Sequence, residues 1–245
     1  MEIKTIQWNL GGGMDAEDLS KNVLQRIIDL LRKENLDIIM FQEAHSDKTS
    51  SQAEYISKEL GYKYFVNDPY DESHIEKGQM LSQVVISRYP ISKHQFTFFN
   101  NPKLTAQQPN GDIWITHDRG ITTCEIDIGG QNLTVQTLHV LPFKRFNVNP
   151  LNEDSEAIRA EVSRVISKET PLLVQGDFNM NDVSLKPFLG DIFESNMQEV
   201  LNDQPTYMAG YIYDHVLYRG LKEISHVVIK EVPTDHYPLV TSFVV

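Results

Sequence analysis

Cysteine is almost absent, with Cys124 the only one in 245 residues. A lone thiol excludes an intrachain disulfide framework and a cysteine-based zinc site, and its place inside an alternating run marks it as core. Long apolar runs are missing as well. None approaches the roughly 18 residues of a membrane-crossing helix, and Met1-Glu2-Ile3-Lys4 leads straight into a strand pattern rather than a charged-then-apolar leader. The expectation is a soluble cytoplasmic monomer with no membrane anchor. Positive charge is scarce: 22 Lys and Arg stand against 34 Asp and Glu, a net charge of −12. Such a surface repels phosphate backbones at long range, which argues against loose duplex binding through a broad basic face. Phosphate chemistry at a small site holding divalent cations remains open, because bound metal reverses the local field. No Pro-rich or Gly/Ser-rich linker, repeat or low-complexity tract interrupts the chain, so residues 1–245 read as one domain.

What is present is a series of strands that end in polar residues. Hydrophobic residues make up 40% of the chain, enough for a full core. Ile6, Trp8 and Leu10 alternate with polar residues up to Asn9, and the run breaks at Gly11-Gly12-Gly13. Asp15 and Asp18 suit a helix start, with an apolar face from Leu19 through Leu31 to about Lys33. Residues 36–41 form an apolar strand ending in Gln42-Glu43, and 50–60 a helix closed by Gly61. A short strand over 62–66, a polar loop over 67–78 and a strand over 83–88 follow, with 91–99 as an edge strand and 100–112 as a long surface excursion.

The clearest hairpin joins 119–128 to 131–139 through Gly129-Gly130 and ends at Thr137-Leu138-His139. A loop over 141–150 carries Lys144 and Arg145, and residues 153–168 form an amphipathic helix. That helix feeds the apolar run Leu172-Leu173-Val174-Gln175, which delivers Gly176-Asp177-Phe178-Asn179. Gly176 there reads as permitting close approach of a ligand. Strands over 211–218, 224–232 and 239–245 close the chain. Antiparallel pairing at the hairpin disfavours a purely parallel sheet; two mixed sheets packed face to face with helices outside fit the order of elements.

Asn9, Glu43, His139, Asp177 with Asn179, Asp214, and Asp235 with His236 thus emerge from or just after strand ends. Each alone has an ordinary explanation as a turn former, a backbone acceptor or a satisfied core imidazole. Together, carboxylates and amides with two histidines are the inventory of a hard-cation site suited to Mg²⁺ or Mn²⁺.

Gln7-Trp8-Asn9, Phe41-Gln42-Glu43, Ile86-Ser87-Arg88-Tyr89-Pro90, Arg119-Gly120, Thr137-Leu138-His139, Gly176-Asp177-Phe178-Asn179, Asp214-His215-Val216-Leu217 and Thr234-Asp235-His236-Tyr237-Pro238 follow in that order. The set resembles the endonuclease/exonuclease/phosphatase superfamily from first strand to last. The resemblance implies a four-layer α/β sandwich and divalent-metal hydrolysis of a phosphodiester, with DNA, RNA or nucleic acid ends as substrate. A phosphatase or a phospholipid or small-molecule phosphodiesterase of the same superfamily is the alternative, and a catalytically silent binding module the alternative of another class. It further implies Glu43 as principal metal ligand, assisted by Asn9 and Asp235, and Asp177 with Asn179 handling the attacking water. His236 would contact the phosphate or move a proton with Asp214 orienting its ring, and His139 resembles the second histidine of the deoxyribonuclease-like and sphingomyelinase-like branches. Arg119 either pairs with a nearby carboxylate or reaches the substrate. Thr234 and His215 depart from the family's usual Ser and Tyr, with packing the plain reading for His215. The aromatics of 207–213 either pack in the core or stack on a ligand.

Overall fold

The computed structural model describes residues 1–107 and 111–245. In chain order its regular elements are β1 (Glu2–Asn9), α1 (Leu24–Glu34), β2 (Ile38–Ser46), α2 (Gln52–Leu60), β3 (Tyr64–Glu72), β4 (Met80–Ser87), β5 (Ile91–Phe98), β6 (Thr105–Gln107), β7 (Ile113–Ile115), β8 (Gly120–Ile128), β9 (Gln131–His139), α3 (Glu156–Val165), β10 (Leu172–Asp177), α4 (Gly190–Phe193), β11 (Gln198–Glu199), β12 (Asp214–Arg219), β13 (Lys222–Val228) and β14 (Leu239–Val244). Two six-stranded sheets run β13-β14-β1-β2-β4-β3 and β11-β12-β10-β9-β8-β5, and β6 pairs with β7 as a separate ribbon. Each large sheet contains one parallel pair, β1 with β2 and β9 with β10. A helix connects each pair, α1 in one and α3 in the other, as a parallel crossover requires.

Three apolar layers make this a four-layer sandwich, as the resemblance implied. Ile27, Ile28 and Leu31 of α1 and Ala53 and Ile56 of α2 pack on Ile6, Trp8, Ile39 and Phe41. Ile3, Ile38, Met40 and Val85 meet Cys124, Val135, Leu173 and Val216 between the sheets. Val162 and Ile166 cover Leu138, Leu172, Val174 and Leu217. Cys124 is buried, which pushes its thiol up to about 12, so it behaves as a small apolar residue.

The period-2 alternation of the strands places the polar residues. Along β1 the row facing the second sheet begins at Ile3 in the inter-sheet core and passes through Thr5 and Gln7 to Asn9, while Ile6 and Trp8 face the helices. On β10 the inward row runs Leu173, Gln175, Asp177, and on β9 Val135, Thr137, His139. β12 enters from the other direction, so its inward row starts at Asp214 and continues to Val216 and Tyr218. The space between the sheets is therefore apolar at one end and lined by hydroxyls, amides and acids at the other. Gln175 Nε2 donates to Thr5 Oγ1 at 2.7 Å and Thr241 Oγ1 at 3.1 Å, bridging the sheets at the transition.

Several expected boundaries move, each for a local reason. The first helix starts at Leu24, because the Asp15 and Asp18 side chains accept from Glu17 N and Ser20 N and hold turns instead. β3 runs on to Glu72 through residues expected as loop. Pro69 is tolerated because β3 is the sheet edge and its register shifts between Pro69 and Asp71. The third helix is shorter than 153–168, opening with a 3₁₀ turn at Glu153–Ser155. The strand expected over 211–218 begins only at Asp214, leaving 211–213 as loop. The 100–112 excursion contains β6, and its residues 108–110 lie outside the described residues.

Gly176 does not open the backbone to a ligand as the sequence suggested. A Cβ there would lie 2.3 Å from the Leu138 carbonyl oxygen on β9, so the missing side chain serves strand packing. Gly176→Ala should therefore destabilise the fold by roughly 1–3 kcal/mol or more. Urea unfolding should show a lower midpoint at unchanged m-value; an unchanged midpoint would mean the two strands part without cost.

Candidate active site

The parallel pairs end side by side at the polar end of the sandwich. Asn9 closes β1, His139 closes β9 and Asp177 closes β10. Glu43 does not close its strand as expected. β2 continues to Ser46, and Glu43 sits at an irregularity where the register to β4 shifts between Phe41 and Ala44. Its φ of 52° is left-handed and strained for a glutamate. A bulge re-aims a side chain that strict alternation would have sent elsewhere.

Asp177 lies at the centre. Its Oδ2 accepts from Asn9 Nδ2 at 3.1 Å and lies 3.2 Å from His139 Nε2, while its Oδ1 accepts from Asn179 N at 2.9 Å. Burial alone would raise the Asp177 carboxyl, but His139, with His236 and Arg119 behind it, holds it well below the ordinary carboxylate range. Asn179, at φ 52°, turns its Nδ2 away to donate to the Val140 carbonyl at 2.9 Å. Its side chain braces the loop, and its backbone serves the acid.

The two histidines are tuned in opposite directions. His236 Nδ1 lies 2.8 Å from Asp214 Oδ2, and Asp214 Oδ1 accepts from Gln7 Nε2 at 2.7 Å. Burial works against the charged ring, yet Asp214 and Asp177 raise His236 to about 10, so it is an imidazolium at neutral pH. Burial and the Arg119 charge lower His139 instead. With Nε2 turned to Asp177, Nδ1 of the neutral His139 is the acceptor, and the Tyr70 hydroxyl stands 3.5 Å from it. Burial also pushes the Tyr70 phenol well up, which keeps it a donor.

The Glu43 carboxylate is buried, and among the described residues it receives no hydrogen bond. Arg119 Nη2 at 3.9 Å is its ion-pair neighbour, and Nδ1 of the neutral His139 lies 3.7 Å away without donating to it. Both readings of Arg119 are thus compatible with its place, since it is near a carboxylate and also lines a cavity at the site. Asp235 stands beside the glycine turn after β1, its Oδ1 3.2 Å from where a Gly11 Cβ would be. Burial raises its carboxyl; His236 opposes the rise and the Glu43 charge adds to it. Separately, Asp177, Asp214 and His236 each bring one ligand atom within 4.8 Å of the others, a buried Asp/Asp/His group able to hold a divalent metal.

Around these groups stand further residues, of which sequence reasoning left the Gln7, Trp8 and Gln42 side chains without a role. Gln7 and Gln42 exchange hydrogen bonds at 2.7 and 2.9 Å, and Gln42 Nε2 also reaches Thr137 Oγ1 at 2.6 Å. This amide pair ties both sheets beneath Asp214. Its signal was available, because Gln42 follows an apolar run in β2 and Gln7 stands on the polar, inward row of β1 between Ile6 and Trp8. Trp8 Nε1 donates to Thr234 Oγ1 at 3.0 Å and to the His236 carbonyl at 3.1 Å, fixing the loop that carries Asp235. Thr234 supplies the hydroxyl that a serine would, donating to the same carbonyl at 2.9 Å. His215, next to inward-facing Asp214, points to the opposite side, donates to the Met180 carbonyl at 3.0 Å and meets Phe178 edge-on. It packs. Tyr207 packs against the His236 ring at 4.9 Å, with Tyr213 at 5.5 Å from Tyr207 and Tyr211 stacked on Tyr213. These tyrosines form a half-buried wall beside the Asp214–His236 pair.

No helix among the described residues is long and apolar enough to cross a membrane. A search of curated protein sequences found no match. Solved structures match across nearly the whole chain. An endonuclease/exonuclease/phosphatase from Beutenbergia cavernae superposes with a TM-score of 0.76 at 18% identity, covering 99% of this chain and 71% of that one. A family protein from Leptotrichia buccalis gives 0.69 at 15% identity over 99% and 100% of the two chains. The human Nocturnin catalytic domain with bound sulfate gives 0.67 at 17% over 99% and 93%. The family model described as Endonuclease/Exonuclease/phosphatase matches residues 6–236, and with the site geometry above this chain belongs to that family of metal-dependent phosphoester hydrolases.

Proposed function

We propose that the protein is a Mg²⁺- or Mn²⁺-dependent phosphodiesterase acting on nucleic acid or nucleic acid ends, with Glu43, Asn9 and Asp235 holding the metal. The observation that carries this reading is the Glu43 carboxylate, buried and without a hydrogen-bond donor among the described residues. The Glu43 side chain is still 12% exposed, so a cation can reach the carboxylate and fill the place that protein donors leave open. Asp235, whose proton affinity rises through burial and the Glu43 charge, fits the same need. The Asp177/Asp214/His236 group is the rival donor set. Both Asp214 oxygens already accept hydrogen bonds, from Gln7 and His236, so that cluster is satisfied as a hydrogen-bonded chain and the first set is preferred. Hard oxygen donors favour Mg²⁺ or Mn²⁺ over softer ions.

When bound there, such a cation supplies Lewis-acid polarisation of a phosphoryl oxygen and offsets phosphate charge. Asp177, kept ionised, orients the attacking water and takes its proton. Its three donors hold the carboxylate in one orientation, so little reorganisation is needed at the moment of attack. His236, kept protonated, presents Nε2–H to a phosphoryl oxygen and stabilises the charge that builds in the in-line transition state. Asp214 positions it through Nδ1. His139 stays neutral and steadies Asp177.

Purified protein should hydrolyse bis-p-nitrophenyl phosphate with Mg²⁺ or Mn²⁺ and lose that activity in EDTA. Parallel assays on p-nitrophenyl phosphate separate diesterase from phosphatase action. Absence of metal-dependent turnover on these, on DNA and on RNA would favour the silent binding module. Glu43→Ala should weaken Mn²⁺ binding in calorimetry by about 100-fold or more, the upper end of what even outer ligand partners contribute; unchanged affinity would move the metal to the rival set.

A further inference from the structure

A cavity of about 220 Å³ opens beside Arg119, lined among others by His74, Ile113, Trp114, His117 and Arg145. We propose that this cavity is a subsite for a second phosphoryl group of the substrate, beyond the one hydrolysed. Arg119 carries the inference furthest. It is only 7% exposed, and its Nε and Nη1 are buried without a hydrogen-bond partner. Both atoms are closed off from the cavity itself, so what Arg119 offers a phosphoryl group there is the fixed positive charge of its guanidinium in the cavity wall.

The surroundings have the matching sign. In a chain of net charge −12, two arginines and two histidines converge on this one space. Arg145 is held with its guanidinium 4.4 Å from the centre of the Trp114 ring. The His74 and His117 rings lie 5.1 Å apart, and Asp71 fixes His117 through Nδ1 at 3.1 Å. The cavity also adjoins the reacting centre, because Arg119 Nη2 is 3.9 Å from Glu43 Oε1. Trp114 and Ile113 add an apolar wall, which suits a ring linking two phosphates rather than a bare anion.

One short turn connects this space to the opposite wall of the site. The 3₁₀ segment Phe143–Phe146 places Arg145 on Trp114, while the preceding Lys144 lies 4.0 Å above the Tyr211 ring. Neighbouring basic residues on that turn are thereby each braced by an aromatic from a different part of the chain. A cationic edge of this kind matches a substrate with phosphates on both sides of a nucleoside.

The inference rests on the phosphoesterase reading, but its test requires no turnover. Calorimetry with Ca²⁺ in place of Mg²⁺ would compare thymidine 3′,5′-bisphosphate with the 3′- and 5′-monophosphates. The bisphosphate should bind about tenfold more tightly than either, the effect of one charge-assisted hydrogen bond. That advantage should shrink in Arg145→Gln and in His74→Gln, two solvent-accessible positions where a folding failure is not expected. Equal affinity for bisphosphate and monophosphates, or an advantage that survives both substitutions, overturns the subsite whatever bis-p-nitrophenyl phosphate shows. The trinucleotide d(TpTpT) separates two sources of the anion. Arg145-dependent binding of it supports an internal strand phosphate, whereas Arg145 dependence confined to the bisphosphate supports the terminal phosphate of a small molecule.

Discussion

Asp177→Ala should reduce kcat by roughly 10²–10⁴-fold at saturating Mg²⁺, the range for removal of a positioned acid–base group. Mn²⁺ affinity should stay close to that of the unaltered protein, because Glu43 and Asp235 are assigned to the metal. The expectation follows from the three donors that meet this carboxylate: Asn9 Nδ2, Asn179 N and the His139 ring. Such convergence keeps the group ionised and immobile. It also makes Asp177 a weak base in the resting site, so its main contribution is to place the water rather than to attract its proton strongly. Alanine leaves buried donors unmatched, which should lower stability by about 1–3 kcal/mol. Steady-state kinetics must therefore be joined to a melting curve showing that the variant is folded at the assay temperature. Asp177→Asn keeps the shape but turns an NH₂ toward neighbouring donors, and it should be nearly as inactive. Near-normal kcat in the alanine variant would transfer water handling to neutral His139, the nearest imidazole.

How much of this was readable in the chain depends on the distance over which each feature is determined. Gly176-Asp177-Phe178-Asn179 was legible because a short apolar strand between Pro171 and Gly176 says where the acid must emerge. The inter-sheet amides were written in the same alternation, Gln7 between Ile6 and Trp8, and needed only the inward direction to be interpreted. Tyr70 was not legible. It stands in Asn67-Asp68-Pro69-Tyr70-Asp71, which reads locally as a loop, and becomes strand only because β4 supplies a partner edge. Asp68 is buried there because Thr122 Oγ1 donates to it at 2.5 Å from the other sheet. Glu43 shows a similar limit. Its place after an apolar run suggested a strand end, whereas its aim comes from a bulge that no spacing rule encodes. The meaning of Gly176 was misread for the same reason, since the Leu138 carbonyl that excludes a Cβ lies 38 positions away in the chain, on a parallel neighbour. Local pattern located the strand ends that carry these polar side chains, and pairing across sheets decided how they are aimed.

Asp214 and His236 should behave as one unit when both are altered. Asp214→Asn should cost roughly 10²–10³-fold in kcat and His236→Ala a similar or larger factor, while the double variant should be no worse than the worse single. The physical ground is the 2.8 Å bond that His236 Nδ1 donates to Asp214 Oδ2 in a buried setting. Asp214 is itself held by Gln7, so its freedom to move and compensate is small. An asparagine there removes the charge that sustains the imidazolium and offers an amide in place of the accepting oxygen, favouring a neutral ring of altered tautomer. The pair therefore has a signature independent of turnover. Nitrogen chemical shifts of His236 should report an imidazolium persisting toward about pH 10 in the unaltered protein, and deprotonation at lower pH in Asp214→Asn. A purely structural Asp214 would reduce activity without moving that titration. Multiplicative losses in the double variant would sink the unit, because two groups acting separately on the transition state lower the rate by the product of their factors.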